Sequence, residues 1–261
     1  MTACINCSAE FQQVTPDGFC SRCESIVGLF DRTPWPWQRR GLLETVNRLE
    51  SGQAYPFCVT GPTGSGKSAS MIGVLKYAIA RGLKVAFFIN RNLLYQQTIN
   101  ILDVAGIDYG CRGAAFEGMQ NDSAPVQICS VPTEGQRVFK KRDKAVDDKL
   151  MVAKAAKEHW KLADADIVIV DEIHMNTGAT MGRIVSEYLE EGAQVVFYTA
   201  TPLGINHLCN ELVISGTKKE CFAEKALVPA IVYGSPELDM RKAKMNQDGE
   251  FSEKVKRQIW S

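Results

Sequence analysis

The chain has 261 residues, of which 45% are hydrophobic and 23% charged, a composition typical of globular proteins with one large domain or one and a half small ones. Its 30 basic and 30 acidic side chains cancel, so net charge does not indicate nucleic acid, and any such partner must be argued from local patches. No apolar run is long enough to span a bilayer and Met1–Cys4 opens no signal peptide, so we expect a cytoplasmic protein without a membrane partner.

Four cysteines near the N-terminus have the spacing of a metal site. Cys4 and Cys7 form one C-x-x-C pair, and Cys20 and Cys23 form a second pair twelve residues later. This spacing suits a tetrahedral four-thiolate Zn²⁺ site, with an iron–sulfur cluster as the main alternative metal. Disulfides are disfavoured in a reducing cytoplasm, and a redox pair would need a βαβ context that is absent here. We predict a zinc ribbon over residues 1–30, too small for its own hydrophobic core and dependent on the metal to fold.

The elements that follow predict an α/β fold. Residues 33–37 predict an extended linker, because each proline disfavours helix in the residue before it, and Gln38–Leu49 predicts a helix. Beyond them, amphipathic stretches alternate with short runs that are apolar on both faces, which is typical of strands in a covered parallel sheet. These predicted strands are Phe57–Thr60, Val85–Ile89, Val126–Ser130, Ile167–Val170 and Val195–Tyr198. The alternation predicts a doubly wound parallel sheet with ligands at the carboxyl ends of its strands.

The residues after the first of these strands match every fixed position of the phosphate-binding motif G-x-x-x-x-G-K-[ST]. They are Gly61, Pro62, Thr63, Gly64, Ser65, Gly66, Lys67 and Ser68. The glycines let successive backbone N–H groups face the β-phosphate, and the following helix adds partial positive charge. Lys67 is predicted to reach the β- and γ-phosphates and Ser68 to hold Mg²⁺. A glycine-rich turn that binds nothing is the alternative, but the full match in a strand–loop–helix context predicts that the chain binds a nucleoside triphosphate.

Two carboxylates end the fourth predicted strand directly. Asp171 can hold Mg²⁺ through water, and Glu172 can accept a proton from the attacking water as a general base. Alone this pattern is weak, because acidic residues often cap a helix that follows a strand. Together with the phosphate loop it predicts a catalytic set of Lys67, Asp171 and Glu172.

The string Asp171-Glu172-Ile173-His174, with Thr199-Ala200-Thr201 at the end of the next strand, resembles the superfamily-2 helicases and translocases of the DEAD/DEAH type. The resemblance covers roughly residues 37–232, the first of that family's two RecA-like domains, and implies ATP as the nucleotide. It also implies that His174 contacts Thr199, Ala200 and Thr201 and couples nucleotide state to domain movement. The alternatives are a helix-start histidine with a local hydrogen bond and a helix N-cap before Pro202.

The same resemblance assigns a base-reading role near the start of the first helix. It implies that Gln38 reads the adenine edge and that Trp37 packs near the base. The sequence departs from the family here, because Trp35 stands where an arginine is expected. A Trp-Gln pair that packs the first helix onto the sheet is the alternative interpretation.

Nucleic-acid contacts are also implied by resemblance. Arg91 and Asn92 occupy the place of motif Ia, and Thr133 and Arg137 lie in the place of motif Ib. Such side chains donate to phosphate oxygens, which position a strand without reading its sequence. Residues 137–161 carry nine basic and four acidic side chains, a net of +5, which suits either a solvated helix or a track for a phosphate backbone.

A motor of this family needs a second RecA-like domain, whose arginines stabilise the charge of phosphoryl transfer. Gly182-Arg183 is the only Gly-Arg pair here, and its position does not fit that role. We therefore expect a RecA-like ATP-binding domain at residues 31–232 and a connector at 233–261. The second domain is either truncated from this sequence, which we prefer, or supplied in trans. The expected function is helicase movement on nucleic acid, DNA ahead of RNA, with a duplex translocase or an ATP-regulated binding switch as alternatives.

Overall fold

The computed structural model describes residues 2–4, 10–11, 16, 18–89, 92–144 and 162–229. Contacts divide the chain into two units, Met1–Leu227 and Val228–Ser261, and the predicted connector at 233–261 lies outside the described residues. Among the helices that are described, none is long and apolar enough to cross a membrane.

A seven-stranded parallel sheet organises the first unit. A short antiparallel pair, β1 (Thr2–Ala3) and β2 (Glu10–Phe11), precedes it. The sheet strands are β3 (Phe57–Thr60), β4 (Val85–Ile89), β5 (Tyr109–Arg112), β6 (Val126–Ser130), β7 (Ile167–Val170), β8 (Gln194–Thr199) and β9 (Glu211–Ile214). They lie in the order β5-β6-β4-β7-β8-β3-β9, and every pair is parallel. The sheet confirms the predicted doubly wound α/β fold and all five predicted strands.

Helices cover both faces of this sheet. They are α1 (Ser21–Val27), α2 (Pro36–Glu50), α3 (Lys67–Ile79), α4 (Asn92–Val104), α5 (Val131–Lys144), α6 (Ala179–Glu190) and α7 (Lys218–Ala223), with short 3₁₀ turns at Ala114–Met119 and Ile173–Met175. Side chains from α1 to α4 form one buried cluster with one face of the strands, and α5 and α6 form a second cluster with the other face. Because the central strands are apolar on both faces, two separate cores can form.

One expectation about the N-terminal part is corrected. Pro36 and Trp37 are not extended but open α2, because a proline at the first helical position gives up only an N–H that has no partner there. The separate ribbon over residues 1–30 stays a prediction. Cys23, Ile26 and Val27 of α1 belong to the same buried cluster as α2 and α3, so α1 shares the core of the sheet unit.

Candidate nucleotide site and cysteine cluster

The register of the sheet brings the predicted nucleotide-binding residues to one edge. Thr60 at the end of β3 pairs with Thr199 at the end of β8, and Val170 at the end of β7 pairs with Phe197 of β8. Since β8 lies between β3 and β7, the phosphate loop after β3 and the acid pair after β7 emerge on either side of Thr199. Ligands of open α/β sheets bind at this carboxyl edge.

The phosphate loop runs from β3 into α3 with the backbone that the glycines allow. Gly64 and Gly66 have φ values of 82° and 80°, in the left-handed region where side chains are strained. The Lys67 ammonium donates to the loop's own carbonyl oxygens, 3.0 Å to Gly61 and 3.4 Å to Pro62. The buried Ser65 hydroxyl has no hydrogen-bond partner among the described residues. A loop with a cation folded onto carbonyls and an unsatisfied hydroxyl fits a site that accepts phosphate oxygens.

Two side chains of the first turn of α2 hold the far side of this loop. The Trp37 indole N–H donates to the Ser65 carbonyl at 2.9 Å, and the Gln38 amide donates to the carbonyls of Ser65 and Gly66 at 3.1 and 3.4 Å. The Gln38 carbonyl accepts the N–H of Trp35 at 3.0 Å. Both side chains are buried, so the pair packs α2 against the loop, while the sequence alternative to base reading had been packing onto the sheet. Sequence reasoning had no means to find the indole contact, because it depends on how α2 lies against α3.

The acid pair follows β7 without a gap, and the loop lysine acts on it electrostatically. Burial, and then repulsion from Glu172, raises the pKa of Asp171 to about 6. Burial lowers the pKa of Lys67, although Glu172 and Asp171 both oppose this effect. The backbone of Glu172 is left-handed, with φ 49° and ψ 50°, which is uncommon for a residue with a side chain. Such strain is found where a functional side chain must be held in one direction.

His174 and Thr199 connect the acid pair to the end of β8. The His174 Nδ1 atom lies 2.8 Å from the Thr199 hydroxyl and 3.2 Å from Glu172 Oε2. The Thr199 hydroxyl also accepts the N–H of Thr201 at 3.0 Å. The described residues after Thr201 contain no helix at Pro202, so the alternative of an N-cap there is wrong. The structure thus brings His174 and Thr199 to the carboxylate of Glu172, and Thr201 is joined to them through Thr199.

The residues present fit a Mg²⁺–triphosphate at this edge. Ser68 and Asp171 line the same crevice, which lies between α3 and α4 beside Phe87 of β4. Hydroxyl and carboxylate oxygens, with water, are the ligands that Mg²⁺ prefers in nucleotide sites. The arrangement can neutralise phosphate charge with Lys67 and orient a water with Glu172.

The predicted nucleic-acid residues are described only in part. Arg91 and the side chain of Asn92 lie outside the described residues, as do residues 145–161 of the basic run. Thr133 is half-buried in the first turn of α5. Arg137 donates to the fully buried carboxylate of Glu134 at 2.6 Å.

Sequence reasoning missed that Arg112, at the end of β5, also binds Glu134 Oε1, at 3.1 Å. Burial raises the pKa of Glu134, against the attraction of both guanidinium groups. The ion cluster joins β5 to α5, two elements whose proximity no local pattern indicates. Arg137 is therefore at least partly a structural residue.

Three of the four N-terminal cysteines converge in the described residues. The sulfur atoms of Cys4, Cys20 and Cys23 all lie within 4.8 Å of one another, and all three residues are buried. The Cys4 and Cys23 sulfurs are 3.7 Å apart, close to the ~3.8 Å edge of a tetrahedron with Zn–S bonds of about 2.3 Å. Cys7 lies outside the described residues. The three thiols fit a shared metal.

A parallel sheet with a phosphate loop after one strand and an acid pair after another, separated by one strand, defines an ATPase domain of the RecA-like type. Residues 32–204 match the family described as "Type III restriction enzyme, res subunit", and the chain belongs to this family. It is thereby placed among the ATP-dependent helicases and translocases of superfamily 2, as the motifs predicted.

The UvsW helicase from bacteriophage T4 shows the same fold at low identity. It is 15% identical with a TM-score of 0.50, and the match covers 70% of this chain and 60% of that one. The SWI2/SNF2 ATPase core from Sulfolobus solfataricus, solved with dsDNA, is 10% identical with a TM-score of 0.46, and the match covers 67% of this chain and 33% of that one. The chain thus spans less than two thirds of each of these structures. No curated protein sequence matches it.

Proposed function

We propose that this chain is the ATP-binding half of a helicase-type motor that couples ATP hydrolysis to movement on nucleic acid. One observation carries the proposal: the phosphate loop, the acid pair and the His174–Thr199 contact meet at one edge of the sheet. We assign the RecA-like domain to residues 31–232 and a connector to 233–261. A second RecA-like domain, in the same chain or in trans, would complete the site.

Each side chain has a proposed role in hydrolysis. Lys67 leaves the loop carbonyls and binds the β- and γ-phosphate oxygens, while the loop N–H groups surround the β-phosphate. Ser68 and, through water, Asp171 hold Mg²⁺, which neutralises charge that develops on the phosphates. Glu172 accepts the proton of the attacking water. His174, Thr199, Ala200 and Thr201 transmit the change to the neighbouring domain.

Gln38 has a proposed role in selecting adenine, and its geometry limits how it can do so. Its amide already donates to the loop, and its carbonyl already accepts from Trp35. An adenine contact would therefore use the second lone pair of the Gln38 carbonyl oxygen or share a bond that the amide makes to the loop. The base and the loop would then be sensed by the same side chain.

We propose that Cys4, Cys7, Cys20 and Cys23 hold one Zn²⁺ in a ribbon over residues 1–30. The sulfur geometry of the three described cysteines supports this assignment. An iron–sulfur cluster uses the same ligands and would be revealed by its visible absorption.

The proposed partner is nucleic acid, DNA ahead of RNA, with Arg91, Asn92, Thr133 and Arg137 as phosphate contacts. The family description favours a second candidate function, a motor that moves along duplex DNA without separating its strands, as in a restriction complex. A protein with both RecA-like domains separates the two, because a helicase displaces one strand of a duplex while a translocase displaces only the third strand of a triplex.

Calorimetric titration of the chain with MgATP tests the first requirement of the proposal, which is nucleotide binding. We expect heat of binding for the wild type, none for Lys67→Ala, and binding without hydrolysis for Glu172→Gln. Hydrolysis by residues 1–261 should be very slow unless a second RecA-like domain supplies arginines to the site. Absence of binding heat in the wild type would refute the proposal. If Glu172→Gln left function intact, ATP would act only as a switch.

A further inference from the structure

The cysteine cluster is connected to the phosphate loop through two packed helices, α1 and α2. Cys20 precedes α1 and Cys23 lies in its first turn, so the cluster fixes the start of this helix. Helix α1 packs on α2, whose first turn holds the loop through Trp37 and Gln38.

Three side-chain contacts fasten the cysteine segment to α2. The Arg39 guanidinium lies 4.8 Å from the centre of the Phe19 ring, which is within cation–π range. Phe19 is adjacent to Cys20, and Arg39 is adjacent to Gln38. About two to three turns further along α2, Arg22 of α1 binds Asn47 at 3.1 Å and forms an ion pair with Glu50. The segment therefore braces α2 near both of its ends.

The Arg39 contact on α2 is close to the residues of α2 that bind the phosphate loop. The Gln38 amide donates to the carbonyls of Ser65 and Gly66, so a shift at the start of α2 moves the loop backbone. The absence of a side chain at Gly66 permits this contact, because a Cβ there would lie 2.1 Å from the Gln38 amide nitrogen. A loop pre-organised in this way binds phosphate without the entropic cost of ordering.

We infer that metal bound by the cysteines sets the ATP affinity of the phosphate loop, with Phe19 and Arg39 as positioning residues between the two sites. The inference rests on the proposed metal and nucleotide sites and adds their coupling. In this inference the cysteine segment supports ATP binding, whereas a ribbon that only engages nucleic acid would leave ATP affinity unchanged.

The test measures the dissociation constant of a fluorescent ATP analogue with Mg²⁺, without nucleic acid, while bound zinc is counted by mass spectrometry. We expect about one zinc per chain, and removal of zinc with a mercurial and a chelator should weaken analogue binding by at least fivefold. Circular dichroism reports whether the sheet unit stays folded. Bound zinc with an unchanged dissociation constant after its removal overturns the inference, and so does a chain that binds no metal.

Variants that keep all cysteines separate coupling from unfolding. Phe19→Leu and Arg39→Gln should retain zinc and weaken the analogue by severalfold, while Phe19→Tyr keeps the ring face and should bind like the wild type. Wild-type affinity in Phe19→Leu and Arg39→Gln would overturn the inference. If zinc-loaded wild type binds no nucleotide at all, the proposed function itself fails, which is a distinct result.

Discussion

The Nδ1 atom of His174 lies 2.8 Å from the hydroxyl of Thr199, and this contact links the acid pair after β7 to the end of β8. The same imidazole nitrogen is 3.2 Å from Glu172. A change in the position of the Glu172 carboxylate therefore reaches the backbone beyond β8, where the Thr199 hydroxyl accepts the Thr201 N–H.

Replacing His174 with alanine should uncouple nucleic acid from ATP turnover. In a protein with both RecA-like domains, we expect nucleic-acid-stimulated turnover to fall roughly 10-fold, within the usual range of coupling energies, while ATP affinity changes little. Steady-state ATPase assays with and without nucleic acid measure this. Thr199→Ser keeps the hydroxyl and serves as the control, whereas Thr199→Val should behave like His174→Ala. Equal stimulation in His174→Ala would show that the contact is only structural.

The raised pKa of Asp171 predicts a pH-dependent magnesium site. Below about pH 6 the carboxylate gains a proton and no longer holds Mg²⁺, so MgATP affinity should fall by up to 10-fold per pH unit. Binding titrations between pH 5 and 8 measure the effect. ATP itself titrates too, and Asp171→Asn isolates the contribution of the protein. Asp171→Asn should bind MgATP weakly at every pH in this range. The affinity of the wild type should fall towards that of the variant as the pH is lowered.

The raised pKa of Asp171 also predicts that its ionised carboxylate destabilises the folded protein when no nucleotide is bound. The fold raises the pKa of Asp171 from 3.8 to about 6, so the folded state disfavours the carboxylate, and this cost is present above pH 6 and disappears as pH falls towards 4. Without nucleotide, Asp171→Asn should therefore be more stable than the wild type at pH 7, by at most about 3 kcal/mol. Denaturant unfolding at pH 7 and pH 4 checks this. A less stable variant at pH 7 would contradict the argument.

The central strands could be predicted from the sequence, but the edge strands could not. β3, β4, β6, β7 and β8 are apolar on both faces because helices cover both, and this leaves a continuous apolar run. β5 contains Gly110 and ends in Arg112, and β9 leaves Leu212 and Ile214 exposed. An edge strand is covered less, so its sequence does not carry the same pattern.

The candidate site also has one part that could be predicted from the sequence and one part that could not. The phosphate loop and the acid pair are contiguous motifs, so their positions followed from the strands before them. The contacts of Trp37 and Gln38 with the loop join residues 27 or more positions apart, and they depend on the crossing of α2 and α3. The Arg112–Glu134 ion pair likewise requires β5 to lie next to β6. Local pattern carries no information about such pairs.

The buried carboxylate of Glu134 should be more important for stability than for nucleic-acid binding. Its alanine variant removes the carboxylate that Arg112 and Arg137 share, and removal of one member of a buried ion pair typically costs about 3 kcal/mol. Urea unfolding measures the change. Asp122→Asn is a matched control, because this second partner of Arg112 is 84% exposed and its loss should cost less than about 1 kcal/mol. Equal midpoints for both variants would contradict the structural role.

The left-handed backbone of Glu172 predicts that glycine at this position gives a more stable protein than alanine does. The conformation is held by hydrogen bonds from the Glu172 N–H to Asp171 Oδ1 and from the Met175 N–H to the Glu172 carbonyl, each 2.9 Å. Glycine adopts this conformation without strain, so the free energy of unfolding of Glu172→Gly should be about 1 kcal/mol higher than that of Glu172→Ala.

Both Glu172 variants lack the carboxylate and should bind MgATP without hydrolysing it. Paired urea melts and turnover assays test the two statements together. Equal stability of the glycine and alanine variants would mean that the strain is released when the side chain is lost. A stable glycine variant that cannot hydrolyse ATP would show instead that the chain retains a strained residue at this position for the direction in which it holds its carboxylate.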